Sequence, residues 1–172
     1  MSGGTPVLRR ARTSDVRAIR ALVAPLAERR VLVSKEAVTY FESLQEFRVA
    51  DLDGRVVGCG ALHVMWEDLA EIRTLAVAHD LLGSGLGGRL LEALVEDARE
   101  IGVERLFCLT FETSFFTRHG FEVIEGQAVS MDVYAELLRS YDEGVAEFLG
   151  LERVKPNTLG NTRMLLRLTE EN

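Results

Sequence analysis

The residues most able to do chemistry in this chain begin with a run of glycines. Leu81-Leu82-Gly83-Ser84-Gly85-Leu86-Gly87-Gly88-Arg89-Leu90-Leu91 sets four glycines at the entry to an apolar-periodic segment. Glycines let a ligand approach the backbone closely, and a helix starting there offers unpaired N–H groups and its positive dipole end to a phosphate. Gly83-x-Gly85-x-x-Gly88 also satisfies the dinucleotide fingerprint. That fingerprint, however, belongs after the first strand of a parallel sheet, whereas a hairpin precedes it here. A third reading is a glycine-rich helix entry with a structural purpose alone.

Glu71 and Arg73 form the next group. Strand alternation puts Leu69, Glu71, Arg73, Leu75 and Val77 on one face, so carboxylate and guanidinium share a surface, as an ion pair or as part of a site. His63, on the preceding strand, projects to the side opposite Leu62 and Val64 and is either structural or a polar contact. His79 and His119 read as turn and helix-end residues. Cys59 and Cys108 are far apart in apolar stretches and read as buried thiols of a reducing compartment. No His, Cys or carboxylate cluster has metal-ligand spacing, so no metal is expected.

The elements that must position these groups follow from periodicity. Val7 to Ala11 reads as a strand, then Thr13 or Ser14 caps a helix through Val16, Ile19, Leu22, Val23 and Leu26. Ser34 caps a second helix. Phe47 to Leu52 and Arg55 to Met65 are strands joined by Asp53-Gly54, a tight hairpin turn. Leu69 to Val77 is a further strand, and the helix opened by the glycines ends at Gly102. A buried strand from Val103 to Thr110, a short helix from Thr113 to His119 and a strand from Phe121 to Ile124 come next. One helix from Ser130 through Leu149 and a last strand, Met164 to Leu168, complete an α+β (mixed α/β) order.

At 172 residues, 47 % hydrophobic and 27 % charged, the chain reads as one domain spanning 1–172, with a core over 7–168 and flexible ends. A chain of this size buries roughly 70 % of its unfolded surface and needs no disulfide or metal to fold. The net charge of −7, with scattered basic residues, argues against a nucleic-acid face. No apolar run approaches a bilayer span and no signal-peptide pattern opens the chain, so no membrane partner and a cytoplasmic location are expected.

The strand ending Leu75-Ala76-Val77, the His79-Asp80 loop, Gly83-x-Gly85-x-Gly87 and the later Phe115-Phe116-Thr117-Arg118-His119-Gly120-Phe121 together resemble the GNAT superfamily of N-acetyltransferases. The resemblance covers roughly Val7 to Ile124. It implies a single-domain GNAT fold, a mixed central sheet flanked by helices, with acetyl-CoA as co-substrate. Leu82, Gly83, Ser84, Gly85, Leu86, Gly87 and Gly88 would bind its pyrophosphate, and the backbone of Leu75, Ala76 and Val77 would pair with its pantetheine. Two positions depart from the family pattern. Leu82 stands where an Arg or Gln often opens the loop, so a phosphate contact must come from elsewhere, and Phe116 replaces a frequent general-acid tyrosine.

Ile72-Arg73-Thr74-Leu75, Val57-Gly58-Cys59-Gly60-Ala61-Leu62-His63 and Phe107-Cys108-Leu109-Thr110 further resemble the acetyltransferase domain of N-acetylglutamate synthases. The stretches Lys155-Pro156-Asn157 and Gly160-Asn161-Thr162-Arg163-Met164 are similar to a short, stand-alone actinobacterial type, an amino-acid N-acetyltransferase. In that type the kinase-like domain of the long bacterial form, with its arginine-binding feedback site, is expected to be absent. Ala24 stands where some relatives carry an Arg before the helix proline.

Acetylating an amine with a thioester requires its ammonium to lose a proton, and Glu71 is the expected base. A dicarboxylate acceptor needs positive or donor-rich contacts, for which Arg73, Arg163, Lys35, Asn161, Thr162 and His63 are expected, with Arg48 and Lys155 less favoured. The resulting expectation is direct transfer from acetyl-CoA to L-glutamate, making N-acetyl-L-glutamate for arginine biosynthesis. Acetylation of another small amine or amino acid, or a non-catalytic acyl-CoA sensor, are the alternatives. The helix from Ser130 and the last strand are possible homodimer elements.

Overall fold

The computed structural model describes residues 3–29, 35–150 and 161–168. Seven strands form one sheet: β1 (Val7–Arg10), β2 (Phe47–Leu52), β3 (Arg55–Trp66), β4 (Leu69–Val77), β5 (Arg105–Thr110), β6 (Glu122–Val123) and β7 (Thr162–Arg167). Their spatial order is β1-β2-β3-β4-β5-β7-β6. All neighbours are antiparallel except β4 and β5. That parallel pair needs a crossover, which is helix α3 (Leu86–Glu100). Asp53 and Gly54 both take positive φ, 52° and 88°, as the β2–β3 hairpin turn requires.

The remaining helices are α1 (Val16–Glu28), α2 (Ala37–Glu42), α4 (Thr113–Arg118), α5 (Met131–Leu137) and α6 (Glu143–Leu149). Helix α3 covers one face of the sheet, burying Leu91, Leu94 and Ala98 against Ala70, Ile72, Leu106 and Met164. The opposite face is shared. Helices α1 and α2 bury Ile19, Val23 and Tyr40 over Val49, Cys59, Ala61 and Ala76. Helices α5 and α6 bury Leu137, Val145, Phe148 and Leu149 over Leu69, Phe107 and Leu165. Between these two helix pairs lies the β4 face that carries Glu71 and Arg73, with the start of α6 against it.

Four local expectations change. The chain enters α1 through a 3-10 turn whose Asp15 carboxylate accepts the Arg12 N–H at 2.7 Å and two bonds from Arg9, so Asp15 fixes this start and not Thr13 or Ser14. The single helix expected from Ser130 is two, because Asp142 caps a fresh start by accepting the Val145 N–H at 3.0 Å. Strand β6 is shorter than expected. Ser34 and the ends Met1–Ser2 and Thr169–Asn172 lie outside the described residues.

The fourth change is a bulge. Thr74 has φ +57°, and the β3–β4 register slips between the Cys59 and Ala61 pairings. One inserted residue reverses alternation, so Leu75 and Val77 point to the α3 side, with Leu86 and Leu90, while Ala76 joins the α1 core. The expectation that Glu71, Arg73, Leu75 and Val77 share a face is therefore corrected at Thr74.

Candidate active site

The bulge builds the site. Parallel pairing between β4 and β5 covers only Leu69–Glu71 against Arg105–Phe107, although β4 runs on to Val77 and β5 to Thr110. Beyond Glu71 the strands part, leaving backbone N–H and C=O groups of both edges facing each other across a cleft. A β-branched residue in the left-handed region costs on the order of 1–2 kcal/mol, a strain the surrounding sheet sustains. Gly60 lies opposite because a Cβ there would come within 2.8 Å of Leu94 and 3.0 Å of Leu75.

The cleft has a volume of about 1120 Å³ and runs from the glycine turn, along Leu75, Ala76 and Val77, to Glu71, Arg73, Lys35 and the first turns of α6. Pockets for drug-sized ligands run to about 300–1,000 Å³, so this cleft has the capacity for a large ligand.

At the glycine end, Gly83 and Gly85 have φ of +78° and +84°. Gly85 is the N-cap of α3 with no side-chain cap, and the first N–H groups of a helix have no intrahelical partner. A Cβ on Gly87 would meet only Phe115, at 3.6 Å, and Val77, at 3.8 Å, so glycine there keeps space open above the helix terminus. Not every residue of the turn reaches that space. The Ser84 hydroxyl donates to the Leu81 carbonyl at 2.6 Å and accepts the Leu86 N–H at 3.4 Å, the Leu86 side chain is buried with Val57 and Leu90, and neither residue lines the cleft. Leu82 is 63 % exposed and brings no donor. Polar groups that sequence reasoning missed line the cleft here: Arg89, Arg118 and His119. His119 donates from Nδ1 to the Phe115 carbonyl at 2.8 Å, which leaves Nε2 facing Gly88.

At the other end Glu71 is 5 % exposed. Arg73 donates from Nε and Nη2 to Glu71 Oε2, at 3.1 and 2.5 Å, and from Nη1 and Nη2 to Asp142, at 3.0 and 2.9 Å. The guanidinium is thus bracketed by two carboxylates. Burial alone would lower the Arg73 pKa, but Glu71 and Asp142 raise it above its ordinary value. Burial opposes the Asp142 charge, yet Arg73, then His63, hold this carboxyl well below the usual range. His63 pairs through Nδ1 with Glu46 at 2.7 Å and places Nε2 at 3.9 Å from Asp142. Lys35 stands 3.5 Å from the Thr74 hydroxyl, and burial, then Arg73, lower its pKa.

Four expected substrate contacts lie off the cleft, the first being His63, which is held by Glu46 behind Asp142. Arg163 donates to the Phe148 carbonyl at 2.7 Å and the Gly126 carbonyl at 3.3 Å, and stacks 5.4 Å from the Phe107 ring centre. It braces α6 and does not line the cleft. Thr162 pairs with Thr110 in the sheet, also off the cleft. Arg48 is committed to Asp97 at 2.8 and 2.6 Å. Asn161 does line the cleft, with its Oδ1 buried and unpartnered among the described residues. Lys155 lies outside the described residues.

The residues missed are Asp142, Gly144 and Glu147. Their sequence signal was an Asp followed by a glycine within an apolar-periodic run, which marks a helix restart with a close packing contact. Burial, then the Glu71 charge, raise the Glu147 carboxyl to about 7. Burial likewise pushes Cys59 up to about 12, and Cys108 up as well, which disfavours the thiolate form of both. Among the described residues no group of three or more His, Cys, Asp or Glu is placed to hold a metal, and no helix is long and apolar enough to cross a membrane.

Comparison with known proteins agrees with this geometry. Residues 17–121 match the model of the acetyltransferase (GNAT) family. An amino-acid acetyltransferase of Mycobacterium tuberculosis is 57 % identical over 166 residues, covering 95 % of each chain. The crystal structure of M. tuberculosis Rv2747 in complex with CoA and NLQ superposes with a TM-score of 0.91 at 56 % identity, over 95 % of this chain and 100 % of that one. N-acetylglutamate synthase from Neisseria gonorrhoeae, complexed with coenzyme A and N-acetyl-glutamate, gives a TM-score of 0.77 at 26 % identity. That match covers 97 % of this chain and 36 % of the longer enzyme. A cleft opened by a strand bulge between a glycine turn and a buried carboxylate, in a chain so similar to these, makes the protein an acyltransferase that belongs to the GNAT acetyltransferase family.

Proposed function

We propose that the protein transfers the acetyl group of acetyl-CoA to the α-amino group of an amino acid, with L-glutamate as acceptor, and that it serves arginine biosynthesis in the cytoplasm. The parting of β4 from β5 carries this reading, because it joins a phosphate-sized cradle to a buried carboxylate through a track of unpaired backbone. The cradle fits the co-substrate: Gly85 and Gly87 put no side chain over the α3 terminus, and Arg89, Arg118 and His119 supply the polar contact that Leu82 lacks. Acetyl-CoA brings a thioester carbonyl and a thiolate leaving group.

At the acceptor end Arg73 occupies Oε2 of Glu71 and leaves Oε1 for the incoming ammonium. Glu71 is thereby proposed as the residue that meets the reacting amine. Lys35 makes no ion pair among the described residues and, with Asn161, is the proposed partner of the acceptor's carboxylates. Charge-assisted bonds of this kind contribute about 1.5–3 kcal/mol each. Arg73 and His63 act on the acceptor through the carboxylates they hold.

One observation favours a neutral side chain as a second reading. Arg73 is already bracketed by Glu71 and Asp142, so a dicarboxylate meets this arginine with its charge committed, and glutamine meets less repulsion there. The test is a screen of the standard amino acids as acceptors, with free thiol as readout. Glutamate is expected to exceed leucine and lysine by orders of magnitude in kcat/KM. Glutamine at or above glutamate moves the acceptor to the neutral amide. Absence of thiol release with every amino acid, alongside intact acetyl-CoA binding, refutes amino-acid transfer and leaves a cofactor-binding sensor.

A further inference from the structure

Two carboxylates of α6 line the acceptor end with no ion pair among the described residues, Glu143, which is exposed, and Glu147, which is half-buried. Glu147 lies one turn beyond Gly144 on α6, and both line the cleft. Gly144 presses on the ion pair so closely that a Cβ there would fall 2.7 Å from Arg73 Cζ and 2.9 Å from Glu71 Oε2. Residues three apart on a helix share a face, so Glu147 follows Gly144 onto the side that meets Glu71. Its carboxylate makes no hydrogen bond or ion pair among the described residues.

Resting on the transfer reading above, we infer that Glu147 takes the proton from the acceptor's ammonium, while Glu71, paired to Arg73, holds that ammonium in place. Glu71 Oε2 already accepts two bonds from the buried Arg73 guanidinium, which commits this carboxylate to the ion pair. Protonating Glu147 breaks no pair and relieves repulsion with Glu71. The groups facing it agree: burial, Glu71 and Glu143 favour its protonated form, and Arg73 and Lys35 oppose this, with a balance near 7. A base poised near the working pH transfers protons more effectively than one far below it.

The step balances as follows. The ammonium gives one proton to Glu147, its nitrogen bonds to the thioester carbonyl carbon, and the carbon–sulfur bond breaks with the electron pair leaving on sulfur. The nitrogen's second proton passes to that thiolate, giving the amide and free CoA thiol, and Glu147 returns its proton to solvent.

The experiment compares Glu147→Gln and Glu71→Gln with the wild type in kcat and KM from about pH 5.5 to 9. The wild-type kcat is expected to fall on the acid side with a midpoint near 7. Glu147→Gln should lower kcat on the order of a hundredfold and lose that acid limb, with acetyl-CoA affinity intact. Glu71→Gln should raise the acceptor KM and keep the limb. Glu147→Gln with kcat within a few-fold of wild type and the limb in place overturns the inference, as does loss of the limb in Glu71→Gln alone. A wild type that releases no thiol with any amino acid refutes the transfer reading itself, a result distinguishable from the other two.

Discussion

Gly144→Ala isolates the contact between α6 and the Glu71–Arg73 pair. Helix propensity favours the variant, since alanine inside a helix is about 1 kcal/mol better than glycine. The new Cβ, however, would stand 2.7 Å from Arg73 Cζ and 2.9 Å from Glu71 Oε2. Ordinary contact begins near 3.5 Å and Arg73 Nη2 lies closer to the new Cβ than Cζ does, so helix or ion pair must yield by more than about 1 Å. Overpacking of this size costs about 1–3 kcal/mol, which the propensity gain partly offsets, so net destabilisation is at most about 2 kcal/mol. Activity is the more sensitive readout. A misplacement near 1 Å at reacting groups can lower rate on the order of a hundredfold, and the displaced atoms are those proposed to hold the acceptor. The expected result is a folded variant with acceptor kcat/KM down about a hundredfold and acetyl-CoA affinity unchanged, because the glycine turn lies at the far end of the cleft. Thermal unfolding, calorimetry with CoA and thiol-release kinetics read the three quantities. Wild-type kcat/KM in Gly144→Ala would refute the placement of the acceptor against α6.

Gly87→Ala meets only ordinary contacts in the fold, 3.6 Å to Phe115, and should therefore melt with the wild type while CoA affinity drops at least tenfold by calorimetry; equal affinity would remove the cofactor from this turn. Arg163→Met loses its bonds to the Phe148 and Gly126 carbonyls and should reduce stability by about 1–3 kcal/mol in denaturant titration, with the acceptor KM shifting no more than for other acceptors. A rise in KM confined to glutamate would return Arg163 to the substrate. Stability against pH reports on Glu147, whose folded carboxyl is raised from 4.5 to about 7. The folded state then binds more protons than the unfolded one in that window and loses stability as pH rises through it. Glu147→Gln should melt above the wild type near pH 8 and converge with it below about pH 4.5; parallel curves would contradict the raised carboxyl.

Much of the architecture was legible because its signals are local. Asp53-Gly54 fixes a hairpin through two positive φ angles, and the glycines before Leu86 open a helix, wherever the rest of the chain lies. The bulge was not legible. Thr74 is a good strand residue by composition, and only the sheet around it, with Gly60 opposite, forces it into the left-handed region. Alternation carried across that point assigned Leu75 and Val77 to the wrong face while placing Glu71 and Arg73 correctly, because those two precede the slip. The same bulge parts β4 from β5, so the feature that opens the cleft is the one that periodicity cannot report.

The acceptor end was half legible for a related reason. Glu71 and Arg73 lie two residues apart on one strand, close enough for sequence alone to pair them. Asp142, the second partner of Arg73, is 69 residues away in sequence, at the start of a helix that apolar spacing merged with the one before it. Once Asp142 caps α6, its carboxylate reaches back to Arg73, Gly144 lets the helix settle on the ion pair, and Glu147 is carried into the cleft. An arginine that seemed free to bind a substrate carboxylate therefore becomes the strut that holds two carboxylates of the protein. In the proposed function, selection among acceptors then falls to Lys35, to Asn161 and to the repulsion from Glu71 and Glu147, a balance that no single residue in the sequence displays.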